Sequence, residues 1–230
     1  MITRKEILSI AKPILFNTDM VKAIQDNRKT ATRRVLKPHN PVKAKKCEYY
    51  QGSGLWYDDT FNEFDKDTHI KDYSVSCCWI GTKIYIQKYA PYKVGDYLYV
   101  RETWIRSELG YSYRADGEEI EILNLNGITG FFGKADGLKW HPSIHMPKSA
   151  ARIFIRVTDV RVERLQDITD NQAIEEGCEG IFANVDWVST PRDEYIDFWN
   201  STVKKSDLDR YGWDANPWVW VIEFERVEVE

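Results

Sequence analysis

Three stretches of this 230-residue chain place chemically capable side chains where the local pattern alone does not ask for them. The first is Arg28-Lys29-Thr30-Ala31-Thr32-Arg33-Arg34, in which cations and hydroxyls crowd one short run suited to holding an anion. The second is Glu102, which falls between Val100 and Trp104 in the alternation of YLYVRETWI. A charge in an apolar row is costly unless it is paired or opens on a cleft, so Glu102 either meets a cation from a neighbouring strand or lines a pocket. Trp104 beside it either packs in the core or stacks a base. The third is Glu176, in the last turn of a short helix, where its charge faces the negative end of the helix dipole at a cost of up to about 1 kcal/mol. A solvated position beside Glu175 is the plainer reading of that residue.

Other groups are weaker. His141 and His145 are four apart, but Pro142 and Pro147 prevent one helix from presenting both to a metal, and no cysteine pair accompanies them. No metal and no other cofactor is expected. His145 and Lys148 are read either as loop packing or as ligand contacts beside a cleft. Lys43, Lys45 and Lys46 are a solvated basic run or a phosphate contact.

The elements that must carry these residues follow from spacing and capping. Asn17 or Thr18 caps a helix with Met20, Val21 and Ile24 on one face, and Asn27 is a plausible left-handed stop. The run Arg28 to Val35 then reads as a strand entered through a tight turn and ended by Pro38. SVSCCWI and KIYIQKY flank Gly81-Thr82 as a hairpin. The turn Lys93-Val94-Gly95-Asp96 feeds one strand in which Leu98, Val100, Glu102 and Trp104 share a face. Arg152 to Arg164 is the longest alternation, with Ile153, Ile155 and Val157 inward. Thr169 and Gln172 form a capping box for a helix closed by Gly177, and Thr190-Pro191 opens a helix with Tyr195, Ile196, Trp199 and Val203 on one face. The chain ends in the buried strand PWVWVIEFERVEV, with Trp213, Trp218 and Trp220 assigned to the core.

Composition bounds the function class. With 43% hydrophobic residues, 9 Trp, 13 Tyr and 9 Phe against 13 Gly and 8 Pro, the chain folds as a packed domain. No apolar run is long enough to span a membrane, Met1 to Ser9 is too charged for a signal-peptide core, and the four cysteines show no C-x-x-C pairing. A cytoplasmic protein is expected. The net charge of −4 hides an asymmetry: residues 1–46 hold 12 Lys/Arg against 3 Asp/Glu, leaving 20 against 33 in the rest. The basic end either meets a polyanion or pairs with the protein's own acidic part.

Taken together, RKTATRR after its helix, Gly95 to Val100, Leu165 to Gly177 and the closing Trp220 to Phe224 resemble the ASCH domain, a PUA-like β-barrel family. VRETW (Val100 to Trp104) and PSIHMPKSAARI (Pro142 to Ile153) are similar to the branch encoded by phages and prophages. The resemblance implies an α+β fold, a PUA-like mixed β-barrel with peripheral helices. It makes residues 1–230 a single domain with insertions at about 39–90 and 107–147, in a bacterial host's cytoplasm.

Within that family, the members that remove the acetyl group from acetylcytidine carry a similar Arg-Lys-Thr-x-Thr-x-Arg motif. The likeness implies Lys29, Thr32 and Glu176 as catalytic residues. It leaves Arg28, Arg33, Arg34, Glu102, Trp104, His145 and Lys148 as ligand contacts. The expected partner is a nucleoside, nucleotide or nucleic acid. A non-catalytic reader of RNA or modified DNA and a phage assembly factor stay open beside the amidohydrolase, because fold does not fix function. The oligomeric state is not indicated.

The residues make the hydrolase chemically coherent. A threonine hydroxyl needs a base, and Lys29 can serve only if burial and the neighbouring arginines lower its pKa. Glu176 would then carry a proton to the leaving amine. Lys29 and Thr32 are three apart and would point to opposite faces of a regular strand, so the triad requires Lys29 to lie in the turn before the strand begins. It also requires the stretches near 30, 102 and 176 to share one cavity.

Overall fold

The computed structural model describes residues 2–36, 48–49, 56–57, 89–107, 110–117, 119–121, 132–134, 139–183 and 186–229. The expected hairpin around Gly81-Thr82, the basic run Lys43 to Lys46 and most of the first expected insertion lie outside them. In chain order the main elements are α1 (Arg4–Ile10), β1 (Lys12–Leu15), α2 (Thr18–Gln25), β2 (Ala31–Val35), β3 (Tyr97–Arg101), β4 (Trp104–Ser107) and β5 (Gly110–Tyr113). They continue with β6 (Phe154–Arg164), α3 (Asp170–Glu175), β7 (Ile181–Ala183), β8 (Asp186–Ser189), α4 (Pro191–Thr202), α5 (Leu208–Tyr211) and β9 (Trp218–Val227).

The architecture is α+β. A five-stranded mixed sheet has the order β1-β3-β6-β9-β2, with β1 parallel to β3 and the other pairs antiparallel. The backbone ladder leaves β1 and β2 as edges. The two are bridged by a side chain, Arg34 Nη2 donating to the Leu15 carbonyl at 2.6 Å.

Alternation along the long strands assigns the faces. Ile155, Val157, Ile222 and Phe224 join Leu98, Val100, Phe16 and the α2 residues Val21 and Ile24 in one core. Val219 and Val221 face the opposite way and pack with Leu165, Ile168, Ala173, Tyr195 and Trp199 under α3 and α4. A third core holds Ile7 of α1, Tyr99, Trp104, Met146 and Phe154. Ile153, Ile155 and Val157 all lie in the first core, as the alternation of β6 requires.

The helices also follow their expected signals. Thr169 and Gln172 form the reciprocal cap of α3, Thr190 and Asp193 that of α4, and Asn17 accepts from the Met20 amide. α1 and β1 carried no expectation. A helix of α1's length does not hold alone in water, and it is fixed by a Thr3–Glu6 capping box and by complete burial of Ile7, worth about 1.5–3 kcal/mol. No helix among the described residues is long and apolar enough to cross a membrane.

One element differs from expectation. The single strand through Glu102 and Trp104 is two strands, with β3 ending at Arg101 and β4 starting at Trp104. The Glu102 amide faces the Met146 sulfur at 3.2 Å, and Trp104 exchanges backbone hydrogen bonds with His141. The chain therefore leaves the sheet at Glu102, and Trp104 and Val100 enter different cores.

Candidate functional site

Two helix ends of the same design build the site. α2 stops because Asn27 adopts φ 58°, which lets the Asn27 amide reach the Ile24 carbonyl at 3.1 Å and the Arg28 amide reach Ala23 at 2.8 Å. α3 stops through Gly177 at φ 99°, with the Gly177 amide on Ile174 at 2.8 Å and Cys178 on Ala173 at 3.0 Å. Both are Schellman ends, in which a left-handed residue folds the chain back over its own last turn. They face each other: the Thr30 amide donates to the Glu175 carbonyl at 2.8 Å. A Cβ on Gly177 would stand 2.9 Å from the Ala23 Cβ, so only glycine allows this approach.

Lys29 follows the first turn and Glu176 caps the second. The Lys29 side chain is fully buried, and its amine donates to Glu176 Oε2 at 2.7 Å, to the Glu176 carbonyl at 2.8 Å and to the Ala31 carbonyl at 2.8 Å. The second contact satisfies a carbonyl orphaned at the helix end. Glu176 is equally buried, and its other oxygen accepts from Arg33 at 3.4 Å. Arg33 continues to Glu163 at 3.2 Å, and Glu163 to Arg161 at 2.5 Å. Two cations thus offset the unfavourable placement of Glu176 at a helix C-terminus. Burial pushes the Lys29 ammonium below its usual pKa, with Arg34 helping and Glu176 opposing.

The hydroxyls lie around this pair. Regular pairing of β2 starts at Ala31, so Lys29 is in the turn, as the triad requires. Across the ladder Thr32 stands opposite Ile222 and Arg34 opposite Trp220, which places both on the side of the first core. Phe16 of that core lies under Lys29 Nζ at 5.7 Å and under Arg34 at 5.3 Å. Thr32 and Arg34 therefore share one face and Arg33 the other, while Lys29, in the turn before the strand, meets Glu176 together with Arg33 and makes no hydrogen bond to Thr32. Thr32 is completely buried, and its Oγ1 has no hydrogen-bond partner among the described residues. The same holds for the hydroxyl of Tyr195 on α4, which lies in the field of Glu176 and Arg33 and whose pKa burial raises well above the usual value. Orphaned buried hydroxyls are rare and call for a reason.

A cavity of about 200 Å³ opens against Glu176, Gly177 and Cys178, with Ala23 of α2 and Phe198 of α4 across from them. The Cys178 thiol in its wall is pushed up to about 12, burial leading and Glu194 and Glu176 adding to it, so it is no thiolate nucleophile near neutrality.

The remaining expected residues separate. Arg28 is tied to Asp26, Glu179 and the Gly177 carbonyl. Glu102 takes the paired alternative: Arg152 grips both its oxygens at 2.9 Å and reaches Asp116 at 2.6 Å. Trp104 is buried, stacked on His141 at 4.9 Å with Tyr111 at its edge, so it packs as core. Lys148 donates to the Ala11 carbonyl at 2.8 Å and lies over the Tyr99 ring, capping α1. His145 is exposed in a short turn, Ser143–His145. The Glu102 group thus belongs to the third core, and α2 stands between it and the Lys29 site: Ala23 abuts Gly177, while the Gln25 side-chain amide reaches Asp116 at 3.2 Å. The expected single cavity joining the stretches near 30, 102 and 176 is not formed among the described residues, because Arg152 closes over Glu102.

Compared with known proteins, the chain matches no family model, no curated protein and no solved structure. Its chemistry is read from the site alone. Sequence reasoning passed over Arg152 and Glu163, which show only as charges in alternating strands. It also treated Tyr195 purely as core, and nothing in the helical spacing reveals that its hydroxyl goes unpaired.

Proposed function

We propose that the chain is an amidohydrolase of the ASCH type, acting on an acylated nucleoside or nucleotide through Lys29, Thr32 and Glu176. The observation that carries the reading is the Lys29–Glu176 contact at 2.7 Å between two fully buried side chains. Burial lowers the pKa of the Lys29 ammonium, which eases loss of its proton and lets the amine act as a base, and the Glu176 carboxyl beside it is the group that can pass a proton on.

Thr32 Oγ1 attacks the amide carbonyl carbon and gives its proton to the Lys29 amine. The tetrahedral intermediate collapses as Glu176 protonates the departing nitrogen, leaving an ester on Thr32. Water, deprotonated by the Glu176 carboxylate, attacks the ester; the C–O bond to Thr32 breaks and Lys29 returns the proton to Oγ1. A PUA-like barrel is supported by the mixed sheet order and by the Arg34 bridge between its two edges.

The test is acetylcytidine hydrolysis by wild type and Thr32→Val. The substitution keeps the shape and removes a hydroxyl without a partner among the described residues, so thermal stability holds or rises while cytidine release is abolished. Release at the wild-type rate by Thr32→Val overturns the assignment.

A further inference from the structure

We propose that the seam between the two edge strands of the sheet is a phosphate-recognition site, in which Arg34 and Arg101 hold the 5′-phosphate of a mononucleotide. The inference rests on the nucleoside-directed reading above and narrows its ligand class.

Several arginines of this protein are ion-paired, and others, Arg4, Arg192 and Arg226 among them, donate to backbone carbonyls. Arg28, Arg33, Arg152 and Arg161 each meet a carboxylate at 3.2 Å or closer. Arg34 and Arg101, both half-buried, meet no carboxylate in ion-pair contact among the described residues. Their contacts are to backbone carbonyls, Arg34 to Leu15 at 2.6 Å and Arg101 to Ile144. Arg101 Nε is buried with no partner among the described residues. Two guanidiniums partly withdrawn from water with no carboxylate in direct contact among the described residues, Glu176 reaching Arg34 only through its field, are an arrangement that a bound anion improves.

Both residues line one cavity of about 500 Å³ with Leu15, Tyr92 and Trp220. That volume is in the range of small-molecule sites, roughly 300–1,000 Å³. Tyr92 is pinned by its hydroxyl on the Pro13 carbonyl at 2.6 Å, so its ring is a fixed wall. Trp220 stands opposite Arg34 in the β2–β9 ladder. Two fork-shaped donors suit the planes of oxygens on a phosphate, and the aromatic walls suit a base.

The experiment is calorimetric titration of the wild-type protein with the four nucleoside 5′-monophosphates, their unphosphorylated nucleosides, inorganic phosphate and an eight-residue oligothymidylate. At least one monophosphate is expected to bind about tenfold or more tightly than its nucleoside. Inorganic phosphate is expected to compete with it, and Arg101→Gln and Arg34→Gln to remove the advantage. Equal binding of nucleotide and nucleoside by wild type overturns the proposal, with no variant needing to fold. So does a preference that survives in both variants. Oligothymidylate binding far more tightly than any mononucleotide overturns the mononucleotide assignment in favour of a nucleic-acid track. None of these readings involves turnover, so failure of the hydrolase reading shows only in the acetylcytidine assay.

Discussion

Lys29 and Glu176 are 147 positions apart and meet at 2.7 Å because Asn27 and Gly177 end two helices in the same way. Lys29, just after Asn27, and Glu176, just before Gly177, leave the two helix ends toward each other. Gly177 is then the point of closest approach, its α-carbon nearly against Ala23. Gly177→Ala meets both a positive φ and a Cβ contact at 2.9 Å, whereas Gly95→Ala, at φ 90°, meets open space. The φ cost alone is about 1–2 kcal/mol. Gly177→Ala is therefore expected to lower unfolding free energy clearly more than Gly95→Ala in urea titrations. Equal losses would show that the helix ends do not press on each other.

The charge state of Lys29 gives a second expectation. Burial lowers its pKa and the Glu176 carboxylate raises it, by charge and by hydrogen bond. In wild type the amine should titrate below its ordinary 10.5, followed through its side-chain nitrogen resonance. Glu176→Gln removes the raising partner and leaves the burial, so the midpoint should move further down. An upward movement would mean that Glu176 does not hold the ammonium form.

Glu102 shows the opposite sign. Burial raises its pKa above 4.5 despite the Arg152 grip, so the folded protein holds this proton more tightly than the unfolded chain. Its stabilising contribution is present below 4.5 and is lost as pH rises through the folded value. Wild type is thus expected to gain relative to Glu102→Gln as pH falls from neutral toward 4.5, measured as the difference in their unfolding free energies. A difference that shrinks toward acid would contradict the sign.

Much of this arrangement was legible in the sequence because local rules carried it. Thr169 with Gln172, Thr190 with Pro191, and Asn27 and Gly177 as stops are short-range signals, and the structure uses them all. The alternation of β6 was equally readable, whereas Arg28 to Val35 read as one strand run and only the Asn27 stop pointed to Lys29 lying before it. Glu102 was not, because its alternation continues through a point where the chain leaves the sheet, and only the distant Met146, His141 and Arg152 determine that break. The unopposed state of Arg101 was hidden for the same reason: whether an arginine has a carboxylate partner depends on which strands become neighbours, and β1 beside β3 has no local signature.

Tyr195 offers the sharpest separation of structure from function. Its hydroxyl is buried under α4 in the field of Glu176 and Arg33, with no partner among the described residues, and burial keeps it neutral far above physiological pH. A neutral phenol that has lost water and found no acceptor carries an energetic cost of about 1–3 kcal/mol. If it only fills space, Tyr195→Phe should stabilise the fold and leave turnover unchanged. If it donates to charge developing on the acyl oxygen, the same substitution should again hold or raise Tm but lower kcat by about 10²–10³. The second outcome is expected because the phenol lies in the field of Glu176 and Arg33. Loss of Tm in Tyr195→Phe would instead show that the hydroxyl is bonded within the fold and would remove it from the site.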